Sequence, residues 1–413
     1  MIDPMFYNMI FAMRDEHWKR VRATMTPTFA TGKLRLLKTV FDGTVKTMLK
    51  NFEEIRLKND NVVNLKEIFG GYTMDSIIQI AFGIKIDSLM DPKNPILLAS
   101  RKIFQNDFGI EKILKITLLQ LLPGIAKMLD IRLFGPQFAL FGKISKEIID
   151  KKRESLSNNV IQKPTNYIEL ILEAEAERIK LEKEQNDSSI AIKFMTNDEI
   201  IAQSMVFFIA GFDTTQTTLT HTIYELGMHP ECQELLYDEI KDILQQNDGK
   251  DAYEVFTYDV LNKMQYLNAI IEETLRLHTP ATNTEREAGG DITLKSSKHE
   301  IHVKKGDIML IPIYSVHRDK DNFPEPDVFD PNRFIGERTH HKYSFLPFGV
   351  GPRDCIARSL AYFEVKIAIV HFILNYRVET CPKTPIPIEY YVLIASNGLF
   401  NKDVHMRILP RLP

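Results

Sequence analysis

The chain has 413 residues, of which 44% are hydrophobic and 26% charged, a balance typical of a soluble globular protein with a substantial core. A formal net charge of −3 gives no reason to expect nucleic-acid binding. The three cysteines, Cys232, Cys355 and Cys381, are few and widely spaced, which argues against a disulfide framework and indicates a reducing compartment. No apolar run reaches about 18 residues, so the sequence predicts no membrane-spanning helix.

The first informative segment holds the only tryptophan of the chain, Trp18, and an arginine four residues later, Arg22. At that spacing the two side chains share one face of a helix. An indole packed on an amphipathic helix, with the arginine in solvent, explains the pair without any function.

Helical patterns follow over 34–59, 65–86 and 111–134. The third contains the apolar run 116–123, which is too short to cross a bilayer and fits either a buried helix or a flap that touches a membrane surface. The charged and polar stretch 180–189 is typical of an exposed loop.

A long helix is predicted after Thr196, which forms a capping-box pattern with Glu199. The helical pattern ends at His229-Pro230. The predicted helix therefore has about 32 residues and a length of about 48 Å, enough to cross a domain.

The middle of this helix combines a glycine with adjacent threonines, which are weak helix formers. They are either tolerated in a long helix or mark a functional site. In the second interpretation Gly211 lets a ligand approach the backbone, while Asp213 and Thr214 place an acid beside a hydroxyl.

Two further helices are predicted near 231–246 and 261–278, and the second carries Glu273 and Arg276 at salt-bridge spacing. A surface ion pair is the simplest explanation of that pair. Strand patterns come late in the chain, at 292–294, 300–303 and 308–311, with a terminal hairpin predicted from 390–395, 398 and 404–409.

The stretch 348–357 presents Cys355 from a turn with Gly349 and Gly351, directly before a helical pattern. Exposed backbone N–H groups at a helix N-terminus favour a thiolate over a thiol. Such a sulfur can be a nucleophile, a metal ligand or a haem axial ligand, and a buried structural cysteine is the alternative.

The motif Phe-x-x-Gly-x-Arg-x-Cys, here Phe348, Gly351, Arg353 and Cys355, resembles the haem-thiolate loop of the cytochromes P450. In that family the cysteine binds the iron, the arginine pairs with a haem propionate and the phenylalanine shields the sulfur. The resemblance therefore implies haem b, with Cys355 as the iron ligand and the other three residues in contact with the cofactor. Ala357 departs from the glycine that the family usually has at this position.

The other motifs resemble the same family, in the same order along the chain. The resemblance implies haem contacts at Trp18, Arg22, Ala210 and Arg286, proton delivery by Asp213 and Thr214, and a buried structural network of Glu273, Arg276 and Arg333. It also implies substrate contacts at Phe207, Phe208, Ile209, Ala281 and Thr282.

The chain as a whole resembles a microsomal-type P450, most of all the animal family-three monooxygenases. The resemblance implies a mainly α fold with a smaller β region, in one P450 domain over 1–413. The family places an anchor, a helix, two strands and a substrate-contacting loop before the Trp18 motif, and only 17 residues precede it here. We therefore expect an N-terminally incomplete domain with an open sheet edge.

The implied activity inserts one oxygen atom from O2 into a small lipophilic substrate. Electrons would come from NADPH through the NADPH–P450 reductase, with cytochrome b5 as a second candidate partner. The implied location is the cytoplasmic face of the endoplasmic reticulum membrane, with peripheral membrane contact. The alternatives are a haem-thiolate isomerase or synthase that needs no reductase, whose members often lose the acid–threonine pair, and a truncated haem-binding remnant without catalysis.

Overall fold

Helices predominate, with a smaller strand content, so the mainly α fold predicted from the sequence is confirmed. The computed structural model describes residues 4–91, 93–94, 98, 114–115, 117–118, 122–129, 136–158, 166–185, 194–296, 299–393 and 398–411.

The helices and strands follow one another in a mixed order, with most strands in the last third of the chain. The α-helices are α1 Pro4–Tyr7, α2 Asp15–Met25, α3 Thr31–Leu36, α4 Lys38–Lys58, α5 Leu65–Phe82, α6 Pro123–Met128, α7 Pro136–Asn158, α8 Tyr167–Gln185, α9 Asn197–Met228, α10 Pro230–Gln245, α11 Ala252–Val255, α12 Tyr258–Lys263, α13 Gln265–Leu277, α14 Ile313–Val316 and α15 Arg358–Asn375. The strands are β1 Val62–Asn64, β2 Thr284–Glu287, β3 Ile292–Lys295, β4 Glu300–Val303, β5 Ile308–Ile311, β6 Tyr376–Glu379, β7 Tyr390–Leu393, β8 Gly398–Asn401 and β9 His405–Pro410, and short 3-10 helices cover Thr26–Phe29 and Pro331–Phe334.

Helix α9 is the element around which the others pack, and its 32 residues match the predicted helix. Its capping box is present, since the Glu199 N–H donates to the Thr196 hydroxyl at 3.3 Å and the Thr196 N–H donates to the Glu199 carboxylate at 2.6 Å. It packs against α5, α7, α13 and α15. The predicted long helix is therefore confirmed.

Helix α5 is a core helix, since most of its side chains are buried. Its apolar residues surround the axis instead of forming one stripe, a pattern that requires burial on all sides. The Asn64 side chain caps its start by accepting from the Lys66 N–H at 3.2 Å, and Gly83 ends it with a φ of 71°. That left-handed backbone favours glycine.

The strands form small antiparallel sheets with the orders β1-β9-β6, β2-β5, β3-β4 and β7-β8. The predicted strands near 292, 300 and 308 are present as β3, β4 and β5. The predicted terminal hairpin is partly wrong, because β7 pairs with β8 whereas β9 pairs with β1 and β6. Met406 and Ile408, which alternate along β9, are fully buried, and this burial fixes β9 in the three-stranded sheet.

The predicted loop 180–189 is wrong in its first part, because α8 continues to Gln185. Residues 186–189 and half of the run 116–123 lie outside the described residues. In the ranges that the structure covers, we find no helix with the length and apolar character that crossing a bilayer requires.

Glu199 connects the start of α9 by hydrogen bonds to α2, the helix that carries Trp18. Its buried carboxylate accepts from the guanidinium of Arg20, at 3.0 Å for one of the two contacts, and from the imidazole of His17. Desolvation raises the pKa of Glu199, but the hydrogen bonds from Arg20, the Thr196 N–H and His17 outweigh it and hold the pKa below its ordinary value. This carboxylate therefore stabilises the fold in its ionised form.

We predict that Glu199→Gln lowers the free energy of unfolding by about 2 kcal/mol near neutral pH, because a buried charge-assisted hydrogen bond is lost. A carboxylate whose pKa is lowered in the folded state stabilises above its unfolded pKa, which is 4.5 here, and this stabilisation is lost as the pH falls through the folded value. The difference between variant and wild type in urea unfolding should therefore shrink below about pH 4.5.

Asp198→Asn is the matched control, since Asp198 lies exposed in the same helical turn. A difference between Glu199→Gln and wild type that stays constant with pH, or equals that of the control, would contradict the assignment.

Candidate active site

The Cys355 loop is closed by its own backbone. The Cys355 N–H donates to the carbonyl of Phe348 at 2.9 Å, and the Asp354 N–H donates to the carbonyl of Gly351 at 3.0 Å. Gly349 and Gly351 have φ values of 71° and 84°, a region in which a side chain is strained. Since open space surrounds Gly351 where a side chain would be, the loop needs its glycine for the backbone and not for room.

Cys355 is an exposed residue three positions before the start of α15. It is nevertheless surrounded by protein atoms on its other sides, and this desolvation raises the pKa of the thiol above its ordinary value. The Ala357 N–H and the charges of Arg22 and Arg358 act in the opposite direction without cancelling it. The N–H donor at the helix terminus thus lowers the thiol pKa, as the sequence predicts, but desolvation outweighs it.

Phe348 and Ala357 flank the sulfur along the chain. The Phe348 ring is half-buried and packs against Tyr362, with 5.1 Å between ring centres. Ala357 is the residue immediately before α15, and its φ of −97° is one that any residue adopts. The backbone here therefore does not require the glycine that Ala357 replaces.

Trp18 and Arg353 are in direct contact. The Arg353 guanidinium carbon lies 4.2 Å from the centre of the indole, and one of its nitrogens donates to the carbonyl of Met13 at 2.8 Å. Desolvation and then the nearby charge of Arg286 lower the pKa of Arg353. In the described part of the chain, neither arginine has a carboxylate at ion-pair distance.

Arg22, in contrast, already has an acidic partner. Its guanidinium donates to the backbone carbonyl of Asp354 at 2.7 Å and to the Asp354 carboxylate at 2.8 Å. Arg22 thus fixes the residue next to Cys355 instead of pointing an unpaired cation into the site.

The middle of α9 is accessible although the helix is buried on both sides of it. Residues 199–208 and 215–227 are buried, whereas 209–214 are exposed or half-buried. This accessible window contains Ala210, Asp213 and Thr214. Helix α9 also packs against α15, the helix that Cys355 precedes.

Asp213 and Thr214 have different surroundings. Although Asp213 is partly accessible, the protein around it desolvates the carboxylate and raises its pKa to about 7, and the charge of Lys66 only partly offsets this. The Thr214 hydroxyl donates to the carbonyl of Ala210 at 2.6 Å, which leaves its oxygen free to accept. An acid that is about half protonated near pH 7 can both give and take a proton.

Gly211 lies where α9 packs closely on α5. A Cβ atom at this position would lie 2.4 Å from the terminal methyl of Ile77 on α5, so a larger residue would require Ile77 to move. The contact with α5 is a reason for this glycine that the sequence did not reveal.

The predicted substrate residues divide into two groups. Ile209, Ala281 and Thr282 are exposed or half-buried. Phe208 is fully buried and packs between Phe141, at 4.6 Å, and Phe212, at 6.2 Å. Its ring belongs to the core, so the structure does not bring Phe208 to the accessible window.

Phe207 also packs away from this window. It is 9% exposed and stacks on Tyr167 at 4.8 Å and on Phe29 at 5.9 Å. The family resemblance implies substrate contacts at both phenylalanines, but a helix places consecutive residues on different faces, and both rings pack against other aromatic rings.

Glu273, Arg276 and Arg333 lie together in the core. Arg276 and Glu273 have no exposed side-chain surface and form a bidentate pair at 2.7 and 2.8 Å, and Arg333 approaches the same carboxylate at 3.4 Å. The remaining Arg276 donors reach backbone carbonyls, including that of His317 at 3.0 Å.

His317 connects this network to the Cys355 loop, a role that sequence reasoning missed. Its Nε2 atom accepts from the Leu346 N–H at 2.7 Å, and the Leu346 carbonyl in turn accepts from the Gly349 N–H at 3.0 Å. Burial lowers the pKa of His317 to about 3, so the ring is neutral and can accept. The only local signal was a histidine at the end of a short helix, which is uninformative without the long-range contacts.

The site residues fit a haem group on two observations of this structure. One is an exposed cysteine in a closed loop, and the other is the presence of two half-buried arginines, Arg353 and Arg286, without a carboxylate at ion-pair distance in the described residues. A thiolate ligand suits iron and unpaired arginines suit the carboxylates of a porphyrin.

Comparison with known proteins gives one consistent family. A family model described as Cytochrome P450 matches residues 3–398. The chain is 32% identical over 408 residues to "Cytochrome P450 3A29" of Sus scrofa, which covers 98% of this chain and 76% of the relative. It is 30% identical over 402 residues to "Cytochrome P450 3A11" of Mus musculus, and this match covers 96% of this chain and 75% of the relative. It is 32% identical over 402 residues to "Cytochrome P450 3A31" of Mesocricetus auratus, and this match covers 96% of this chain and 74% of the relative.

We predict that Glu273→Ala lowers the free energy of unfolding by about 3–5 kcal/mol, because it leaves the Arg276 charge buried and unpaired. Glu272→Ala is the matched control, since Glu272 pairs with Arg338 near the surface and the change should cost about 1 kcal/mol or less. Urea unfolding of both variants gives the comparison, and equal losses would contradict a structural role for the buried network.

Proposed function

The chain belongs to the cytochrome P450 family and is thus a haem-thiolate monooxygenase, and from this premise we propose that it oxidises a small lipophilic organic substrate with electrons from NADPH, delivered by the NADPH–P450 reductase. The observation that carries the proposal is Cys355, an exposed residue in a loop that hydrogen bonds through His317 connect to the buried Arg276. Haem b is the cofactor of this family.

The residues that would hold the haem are Cys355 at the iron and Trp18, Arg286 and Arg353 at its edge. The cofactor supplies redox-active iron that activates O2, and a cysteine thiolate ligand favours O–O cleavage. Phe348 would shield the sulfur, and the Ala357 N–H lies where it can donate to it. Arg22 would act indirectly, by fixing Asp354.

The accessible window of α9 would supply protons. Asp213, with a pKa of about 7, would exchange protons with solvent, and the Thr214 oxygen would hold an accepting position next to the reacting oxygen. Ile209, Ala281 and Thr282 remain the proposed substrate contacts, and their accessibility supports this role.

A haem-thiolate isomerase or synthase is the second candidate function, and Asp213-Thr214 argues against it because such enzymes need no proton delivery to O2. Contact with the endoplasmic reticulum membrane and with cytochrome b5 is part of the proposal and rests on the family resemblance alone.

The function is tested with 18O2, purified reductase and NADPH on a panel of lipophilic substrates. The proposal predicts products that carry one labelled oxygen atom and form only when reductase is present. A rearranged product from an organic hydroperoxide, formed at the same rate without reductase, would favour the isomerase.

We predict that Thr214→Ala lowers product formation by about 10²-fold while NADPH consumption continues, because a positioned proton relay contributes about 10²–10⁴-fold. The reducing equivalents should then leave as hydrogen peroxide, which is measured against product in the same assay. Thr218→Ala is the control, since the Thr218 hydroxyl makes the same backbone contact one turn later, donating to the carbonyl of Thr214 at 2.8 Å. Unchanged coupling in Thr214→Ala, or equal loss in Thr218→Ala, would contradict the role.

A further inference from the structure

A cavity of about 280 Å³ lies apart from the Cys355 site. Its walls come from the 3-10 turn after α2 and from α3, α4, α5, α8, α9 and α15, and none of its lining residues is among those assigned to the haem. With about 30 Å³ for a water molecule, the space corresponds to roughly nine waters. A molecule with one or two fused rings fits such a volume.

One wall of this cavity is aromatic. Tyr167 and Phe207 stack with 4.8 Å between ring centres and 28° between planes, and Phe29 stacks on Phe207 at 5.9 Å and 20°. Leu34 and Ile80 line the buried part and are 1% and 3% exposed. Flat apolar faces and aliphatic side chains favour an aromatic ring system.

The Tyr167 hydroxyl is a buried polar group that the fold does not satisfy. The side chain is 3% exposed, and its oxygen has no hydrogen-bond partner in the described structure. Burial raises the pKa of Tyr167, so the phenol stays neutral and can donate. An unsatisfied buried hydroxyl costs free energy, which a ligand oxygen would recover.

Lys33 is half-buried and belongs to the cavity wall, together with the more exposed Leu36 and Thr39. Within the described ranges the Lys33 ammonium makes no hydrogen bond or ion pair, and no acidic side chain lines the cavity. A cation beside an apolar, acid-free recess selects a ligand with a negative end.

We propose that this cavity binds a small aromatic carboxylate that also carries an oxygen at the far end of its ring system. The ring lies against Tyr167 and Phe207, the carboxylate pairs with Lys33, and the distal oxygen accepts from the Tyr167 hydroxyl. The cavity lining includes Phe207, three residues before Ala210 on α9, and Leu360, five residues after Cys355 on α15. The ligand therefore contacts α9 and α15, the two helices that adjoin the proposed haem site.

The test is calorimetric titration of the haem-loaded protein with 6-hydroxy-2-naphthoate while saturating imidazole occupies the iron, as its absorbance spectrum verifies. We expect one binding site under these conditions. Lys33→Met should weaken binding about tenfold, the loss expected for one charge-assisted hydrogen bond, and Lys33→Arg should restore most of it. Tyr167→Phe should weaken the hydroxynaphthoate but not 2-naphthoate, which lacks the distal oxygen.

Two variants serve as controls. Lys50→Met removes an exposed lysine of α4 outside the cavity and should leave binding unchanged. Val40→Trp should fill the cavity and abolish binding, with thermal unfolding measured to show that the variant is folded. The proposal is overturned by no binding to the imidazole-saturated wild type, by equal effects of Lys33→Met and Lys50→Met, or by full binding to folded Val40→Trp.

Discussion

The buried ion pair between Glu273 and Arg276 is the constraint on which the site depends. Neither side chain is exposed, and each charge is costly to bury unless the other groups around it are satisfied. Here the carboxylate also accepts from the Asp330 N–H at 2.9 Å, and Arg276 donates to the carbonyls of Pro326 at 2.7 Å and His317 at 3.0 Å. The pair therefore connects α13 to the chain around His317 and 326–330, which lies 41 to 57 residues further along the sequence.

From this pair a continuous series of hydrogen bonds leads to the cysteine. His317 accepts from the Leu346 N–H, Leu346 accepts from Gly349, and Cys355 closes the loop on Phe348. Arg22 and Arg353 hold the other side, through Asp354 and Met13. These contacts fix the backbone of the Cys355 loop, as the proposed role of Cys355 as an iron ligand requires.

Helix α9 meets two opposing demands. Most of it is buried because it packs at the centre of the core, yet it carries Asp213 and Thr214, the polar groups that we propose for proton delivery. In the accessible window around Ala210 the helix is less buried than elsewhere. The desolvation that remains there raises the pKa of Asp213 to about 7. The same burial that stabilises the helix thus gives the acid a pKa suited to proton transfer near neutral pH.

Sequence alone predicted what short-range chemistry determines. The capping box of α9, the glycine turn before Cys355 and the order of the motifs depend on neighbouring residues, and they led to the fold and the family. The contact of the Glu273–Arg276 pair with the distant Arg333 was expected from the family resemblance alone. Other contacts between distant segments could not be predicted. Four contacts arise only when the chain is folded. They are the close approach of Ile77 to Gly211, the ion pair of Arg22 with Asp354, the core packing of Phe208 and the hydrogen bonds of His317. The thiol pKa of Cys355 belongs to the same class, because desolvation is set by the whole surrounding protein.

The most direct test of the account is the absorbance spectrum of the reduced, CO-bound haem protein, compared between wild type and Cys355→Ser, with Cys232→Ser and Cys381→Ser as controls. The account predicts a thiolate-type Soret band in the wild type and in both controls, and its loss in Cys355→Ser while haem remains bound. A thiolate-type band that survives in Cys355→Ser, or that disappears in Cys232→Ser or Cys381→Ser instead, would contradict the account.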